Sequence, residues 1–367
     1  KLLYIAPISE NGHTSSGYSN ASDGMLKIFN NLLEDRTLSV LDTISNPFDF
    51  EIPEDNYDVC LVNLNIGFLL NKPETIELYK QLKSKCKKMY LSIVWEASSY
   101  PSYWRDFLNS DVFDGYLCPS VFVKNLLWDI DKPKFLYPHY IDPAVFSLIK
   151  KPIKKEFIVL MLGQNTERKS FAEGIISFCQ ELGDKEDCHL IIKSDKMSNY
   201  EMSIENQIVK YSNMNGLSDA KISTVTNKKL SQNEIVELYK RSSVVLLPSK
   251  GEGFGLNLPE AMSCGIPCIY SKYSAWSEKN YDVYGNHSLW PTPSNVENMI
   301  HYGYEKNMAW GQPLITDIKY RLRITYNEWK NNFQNYYQYS EDNHKLINDL
   351  YGENAIKNHV KNILESI

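Results

Sequence analysis

The residues whose types and spacing could do chemistry fall in one stretch, Val244 to Glu278, VVLLPSKGEGFGLNLPEAMSCGIPCIYSKYSAWSE. It reads as a strand, a Pro-Ser turn, a glycine loop, a helix, a Gly-Ile-Pro break and a second strand. On a single helix the spacing of Glu252 and Glu260 would turn them about 80° apart, off any common face. The glycines change that geometry. Gly251, Gly253 and Gly255 keep Glu252 and Phe254 on a loop, while Leu256 to Cys264 starts a helix with Glu260 one turn in. A carboxylate and the unpaired amides of a helix start then meet at one site. Carboxylates accept hydrogen bonds from vicinal hydroxyls, and amides with a helix dipole favour phosphate charge, so the combination suits a sugar nucleotide.

The elements that must position these residues are short apolar runs alternating with amphipathic stretches, the pattern of parallel strands joined by crossover helices. Strands are predicted at Leu2 to Ile8, Leu38 to Leu41, Val59 to Leu64, Lys88 to Val94, Gly115 to Cys118 and Lys134 to Leu136. A second set runs through Phe157 to Gly163, His189 to Lys193, Lys221 to Val225, Val244 to Pro248 and Pro267 to Tyr270. Helices are predicted at Pro73 to Lys83 and Ser120 to Trp128, and from Ile318 onward. Two doubly wound α/β sheets follow. Between them Ser147 to Glu156 carries four lysines and a proline with no helical period, an interdomain linker with a cleft expected beside it.

At 367 residues, 43% hydrophobic and 23% charged, the chain is neither disordered nor collagen-like, and two domains are the natural expectation. Lys plus Arg total 39 against 45 Asp plus Glu, a net charge of -6, which argues against a dedicated basic nucleic-acid surface. Seven cysteines, none in a Cys-x-x-Cys pair, suggest neither a disulfide framework nor a zinc ribbon, and point to the cytosol. No apolar run approaches the roughly 20 residues of a membrane helix. The 25 tyrosines are expected to serve mainly as core and boundary residues.

The long motif P-S-x-x-E-G-F-G-L-x-x-x-E-A-M-x-C-G-x-P resembles the hallmark of the family 4 (group 1) retaining glycosyltransferases of the GT-B fold, two glutamates separated by seven residues. Other segments follow in the family's order. LGQNTERK, Leu162 to Lys169, is similar to its strand-end loop with cations for the donor diphosphate; Lys169 matches, Gln164 replaces the usual first arginine, and Arg168 becomes the second cation by proximity. PHYIDPAVF, Pro138 to Phe146, resembles the segment closing the first domain, with Tyr140 in place of glycine. Gly12, Gly17, Tyr18 and Ser19 follow the first strand, where the family has a glycine loop against donor phosphates and acceptor. IVWEASSYPSY, Ile93 to Tyr103, resembles the Trp-Glu variant, with Glu96 where many relatives carry His.

The resemblance implies two Rossmann-like domains facing a cleft: 1–147 on the acceptor side, 148–339 binding the nucleotide sugar, and a helix at about 340–367 returning to the first. It implies a metal-independent, retaining hexosyl- or pentosyltransferase with no cofactor beyond a UDP- or GDP-linked donor and with a hydroxyl acceptor. Lys169, Arg168 and the amides around Gly253, Phe254, Gly255 and Leu256 would meet the diphosphate; Glu260 would hold ribose hydroxyls and Glu252 the donor sugar. Gly17 and Gln164 would line the donor site. Glu96 is a candidate for acceptor contact, or alternatively a structural carboxylate on the next turn. The formal metal motif Asp129-Ile-Asp131 ends a helix rather than following a strand, so no metal site is expected there. Two other classes stay open: a DNA glycosyltransferase acting on hydroxymethylated bases, with nucleic acid as acceptor, and a non-catalytic sugar-nucleotide binder or epimerase.

Overall fold

The computed structural model describes the chain except residues 10–16, 34–37, 44–49, 71–72, 150–154, 196–201, 217–218, 227, 280, 283–285, 297–303 and 367. Gly12 and most of the lysine run therefore lie outside the described residues. The chain divides into two compact units, one of Lys1–Tyr140, Asn295–Ala309 and Tyr351–Ile367, the other of Ile141–Ser294 and Trp310–Leu350. The sequence reading placed the first division at 147/148 and the return near 340. Here the chain changes unit at Tyr140, and Ile149 already bonds within the second unit, its N–H donating to Cys264 O at 3.2 Å.

In the first unit the strands β1 (Leu2–Ala6), β2 (Leu38–Asp42), β3 (Tyr57–Val62), β4 (Cys86–Ser92), β5 (Gly115–Cys118) and β6 (Lys134–Leu136) form one parallel sheet in the order β2-β1-β3-β4-β5-β6. Leu2, Tyr4 and Ala6 pack with Met25, Ile28 and Phe29 of the helix Gly17–Leu32 and with Ile356, Val360 and Ile363 of the helix Glu353–Glu365. Those last three, spaced four and three apart, lie on one helix face. Burying each contributes roughly 1.5–3 kcal/mol, and this ties the end of the chain to the first unit. Tyr140, where the family has glycine, is buried in this same core.

In the second unit β7 (Phe157–Gln164), β8 (Cys188–Asp195), β9 (Ile222–Thr226), β10 (Val244–Leu247), β11 (Cys268–Ser271) and β12 (His287–Leu289) form a parallel sheet in the order β12-β11-β10-β7-β8-β9. Phe157, Val159 and Met161 meet Phe171, Ile175 and Phe178 of the helix Phe171–Leu182, and Ile318, Leu322 and Trp329 of the helix Ile315–Asn331. Chain order reverses between β7 and β10, so the carboxyl ends of these strands open the crevice that such sheets offer to ligands. A further two-stranded ribbon joins β13 (Thr292–Asn295) and β14 (Ala309–Gln312). Among the described residues, no helix is long and apolar enough to cross a membrane.

Candidate functional site

The loop after β7 reaches the loop after β10 at the switch point. Arg168 and Lys169 sit on a 3-10 turn, Glu167–Lys169. It ends at Ser170, a buried non-glycine residue with φ 51°, a conformation costing of order 1–3 kcal/mol. Arg168 places Nη1 3.0 Å from Glu252 Oε2 and donates to Gly251 O at 2.6 Å; Lys169 Nζ lies 2.5 Å from Glu252 Oε1. All three side chains are largely buried, Glu252 to 8% exposure. Burial alone would push the Glu252 carboxyl up, but Arg168 and Lys169, helped by the Ser249 hydroxyl, outweigh it and hold the group at about 2. The Lys169 side chain runs against Gly163, where a Cβ would stand 3.3 Å from its Cδ and Cε.

The glycine loop is fixed by the segment after β11. Glu252 N–H donates to Ser274 Oγ at 2.7 Å, and Ala275 N–H donates to Glu252 O at 3.1 Å. The Trp276 indole N–H donates to Phe254 O at 3.0 Å. Gly255 has φ +74°, and a Cβ there would lie 2.6 Å from the Trp276 ring, so this position needs glycine on two counts. Leu256 precedes the short helix Asn257–Ser263, and Asn257 Nδ2 donates to Leu162 O of β7 at 3.1 Å. Glu260 lies in the helix's first turn, buried, and accepts from the Tyr239 hydroxyl at 3.1 Å. Burial pushes its carboxyl up to about 7, with the Tyr239 bond offsetting part of the rise. Glu252 is thus a secured anion and Glu260 a carboxyl poised near neutrality. Gln164 ends β7 and is exposed.

Glu96 and Gly17 belong to the first unit. The Tyr304 hydroxyl donates to Glu96 Oε1, and the Trp95 and Tyr304 rings lie 4.9 Å apart. At the start of the next turn, Ser102 N–H donates to Glu305 Oε1 at 2.8 Å. Burial, with the charge of Glu96 added, holds the Tyr18 hydroxyl well above its usual range. A Cβ on Gly17 would meet nothing within 4 Å. Asp129 accepts from the Tyr100 hydroxyl at 2.8 Å and pairs with Arg105, on a turn after the helix Val121–Leu126. The described residues contain no cluster of three metal-ligating side chains.

Sequence reasoning passed over Ser249, Ser274, Trp276, Tyr239 and Tyr304. Ser274 and Trp276 stood inside the motif stretch as SAW, well past the glycines, and only the fold brings the indole against Gly255. Tyr304 comes from a segment without periodicity.

Two parallel six-stranded units of this kind define the GT-B class. The chain superposes on sucrose-phosphate synthase from Thermosynechococcus elongatus with TM-score 0.67 at 12% identity, covering 100% of this chain and 98% of that one. It superposes on "Trehalose-6-phosphate from E. coli bound with UDP-2-fluoro glucose" with TM-score 0.63 at 9% identity, covering 100% and 99%. Residues 146–299 match the family model described as Glycosyl transferases group 1. A curated relative, "Putative glycosyltransferase 45" of Sulfolobus islandicus filamentous virus, is 22% identical over 210 residues, which is 54% of this chain and 53% of that protein's length.

Proposed function

We propose that the protein is a retaining, metal-independent member of glycosyltransferase family 4, moving a hexosyl or pentosyl group from a nucleotide-diphosphate sugar to a hydroxyl acceptor. The observation that carries this reading is the Glu252 carboxylate held between Arg168 and Lys169 at the β7/β10 switch point, with Glu260 on the helix that follows. Two cations satisfied by an internal anion are ready to accept a stronger one. When the donor binds, its diphosphate takes over Arg168 and Lys169 and the Glu252 carboxylate turns to the hydroxyls of the donor sugar. The bond from the anomeric carbon to the diphosphate breaks with its electron pair passing to the phosphate oxygen. The acceptor oxygen forms the new bond, and its proton goes to the released diphosphate. Arg168, Lys169 and the amides from Gly253 to Leu256 stabilise the charge that develops there. In the second unit Gln164 borders the donor and Glu260 receives the ribose hydroxyls; in the first, Gly17 and Glu96, the latter aligned by Tyr304, are the candidates for substrate contact.

The neighbour that holds UDP-2-fluoro glucose puts UDP-sugars first in a thermal-shift screen, with GDP-sugars second. Donor at 100 times its dissociation constant adds about 2.7 kcal/mol of stability. If no nucleotide sugar raises the midpoint and none is hydrolysed or transferred, the reading fails. Hydroxymethylated DNA is the second acceptor to test; salt-sensitive DNA binding would favour it, against the net charge of -6.

A further inference from the structure

Three contacts between the two loops share one sequence offset of 83 residues: Glu167 with Lys250, Arg168 with Gly251, and Lys169 with Glu252. The loops are engaged tooth by tooth, in parallel, and the cations are the second and third teeth. The first tooth is an ion pair between a buried lysine and a partly exposed glutamate. Lys250, its side chain 5% exposed, places Nζ 3.0 Å from Glu167 Oε1 and 5.0 Å from the centroid of the Trp310 ring. Its backbone is held on both sides, the N–H donating to Arg168 O at 2.7 Å and the carbonyl accepting from Gly311 N–H at 2.7 Å. An ion pair whose cation is taken out of water is poor evidence for stability, and fixing a register is the best-attested use of such a group.

We propose that Lys250 and Glu167 are a positioning pair that sets the register of Arg168 and Lys169 for an anionic ligand, without touching that ligand themselves. The ammonium is enclosed between a carboxylate and an aromatic face, so its charge is spent inside the protein. A slip of one residue between the loops would move Arg168 off Gly251 and Lys169 off Glu252 together. The proposal rests on the reading of those two cations as the diphosphate site.

The test uses Lys250→Met, Glu167→Gln, the double variant and Lys250→Arg, with UDP, GDP and inorganic pyrophosphate as probes in calorimetry, beside thermal midpoints. Each single variant is expected to weaken binding of the best probe by about tenfold. The double variant is expected to be no worse than either single one, because both act through one contact. Lys250→Arg, which keeps the pair, is expected to retain affinity. Tighter binding by Glu167→Gln would mean that a released Lys250 is itself a ligand, and would overturn the proposal. Additive losses, or midpoints that fall while affinity stays put, would overturn it too. Should Lys250→Met not fold, Glu167→Gln, whose side chain is 32% exposed, carries the test alone. If the wild type binds none of the probes, the diphosphate reading itself falls; if it binds and the variants bind equally well, only the positioning role falls.

Discussion

Glu252→Gln keeps the shape of the side chain and removes the charge that Arg168 and Lys169 share. In the folded protein that carboxyl is drawn from 4.5 to about 2, a preference for the ionised form worth about 3 kcal/mol. A depressed carboxylate contributes stability above its unfolded value, and the contribution is lost as pH falls from about 4.5 through 2. At pH 7 the variant therefore forfeits it in full and leaves two buried cations without their anion. A fall in the thermal midpoint on the order of 6–12 °C follows for a unit of this size. A nucleoside diphosphate no longer has to displace the carboxylate, so UDP or GDP is expected to bind about ten- to a hundredfold more tightly to the variant, within that same 3 kcal/mol. Turnover moves the other way, falling about ten- to a hundredfold with the loss of a charge-assisted bond to the sugar. Scanning calorimetry with and without nucleotide, titration calorimetry and single-turnover transfer measure the three. An unchanged midpoint together with weaker nucleotide binding would show that Glu252 does not compete with phosphate, and would refute the exchange of partners.

Glu260, raised from 4.5 to about 7, works with the opposite sign: its contribution to stability is present in full below pH 4.5 and is lost as pH rises through 7. Ribose hydroxyls need the ionised form, so nucleotide affinity is expected to rise by up to about tenfold per pH unit toward 7 and then level off; Glu260→Gln flattens the profile, and a flat profile in the wild type contradicts the assignment. Gly255→Ala drives a methyl against Trp276 at a positive φ, costing about 1–3 kcal/mol, and is expected to weaken donor binding as the loop shifts; a variant with normal midpoint and affinity would remove Trp276 as the loop's support. Donor hydrolysis or transfer is expected to persist in excess EDTA, and activity lost to EDTA and restored by manganese would reject the metal-free mechanism.

The strands were legible where apolar runs were long enough to be buried on both faces, as in Phe157 to Leu162. They were not where β12 is three residues long, β13 contains Pro293, and β14 gives only Ala309 to Gln312. The motif singled out Glu252 and Glu260, and the segment Leu162 to Lys169 singled out Lys169, because glycines, a proline and carboxylates in fixed order leave few ways to fold. What the motif concealed was who pairs with whom. Glu252 and Lys169 are 83 residues apart, and each was assigned to a future ligand when in the free protein they serve each other. Tyr239 likewise reads as one aromatic in the amphipathic helix Gln232–Arg241, and only folding turns its hydroxyl onto Glu260.

The two sheets differ in where their chain order turns. In the second unit the turn falls at the middle, with three strands on either side; in the first it falls between β1 and β3, with two strands on one side and four on the other. The strands flanking each turn are paired on both sides, but in the first unit β1 has only the half-buried edge strand β2 behind it. The β7/β10 crevice has paired strands behind both of its walls, and its amides are expected to be among the slowest to exchange with deuterium. The β1/β3 crevice has an edge strand one place behind it, and the amides of β2 are expected to exchange sooner than those of β7 and β10.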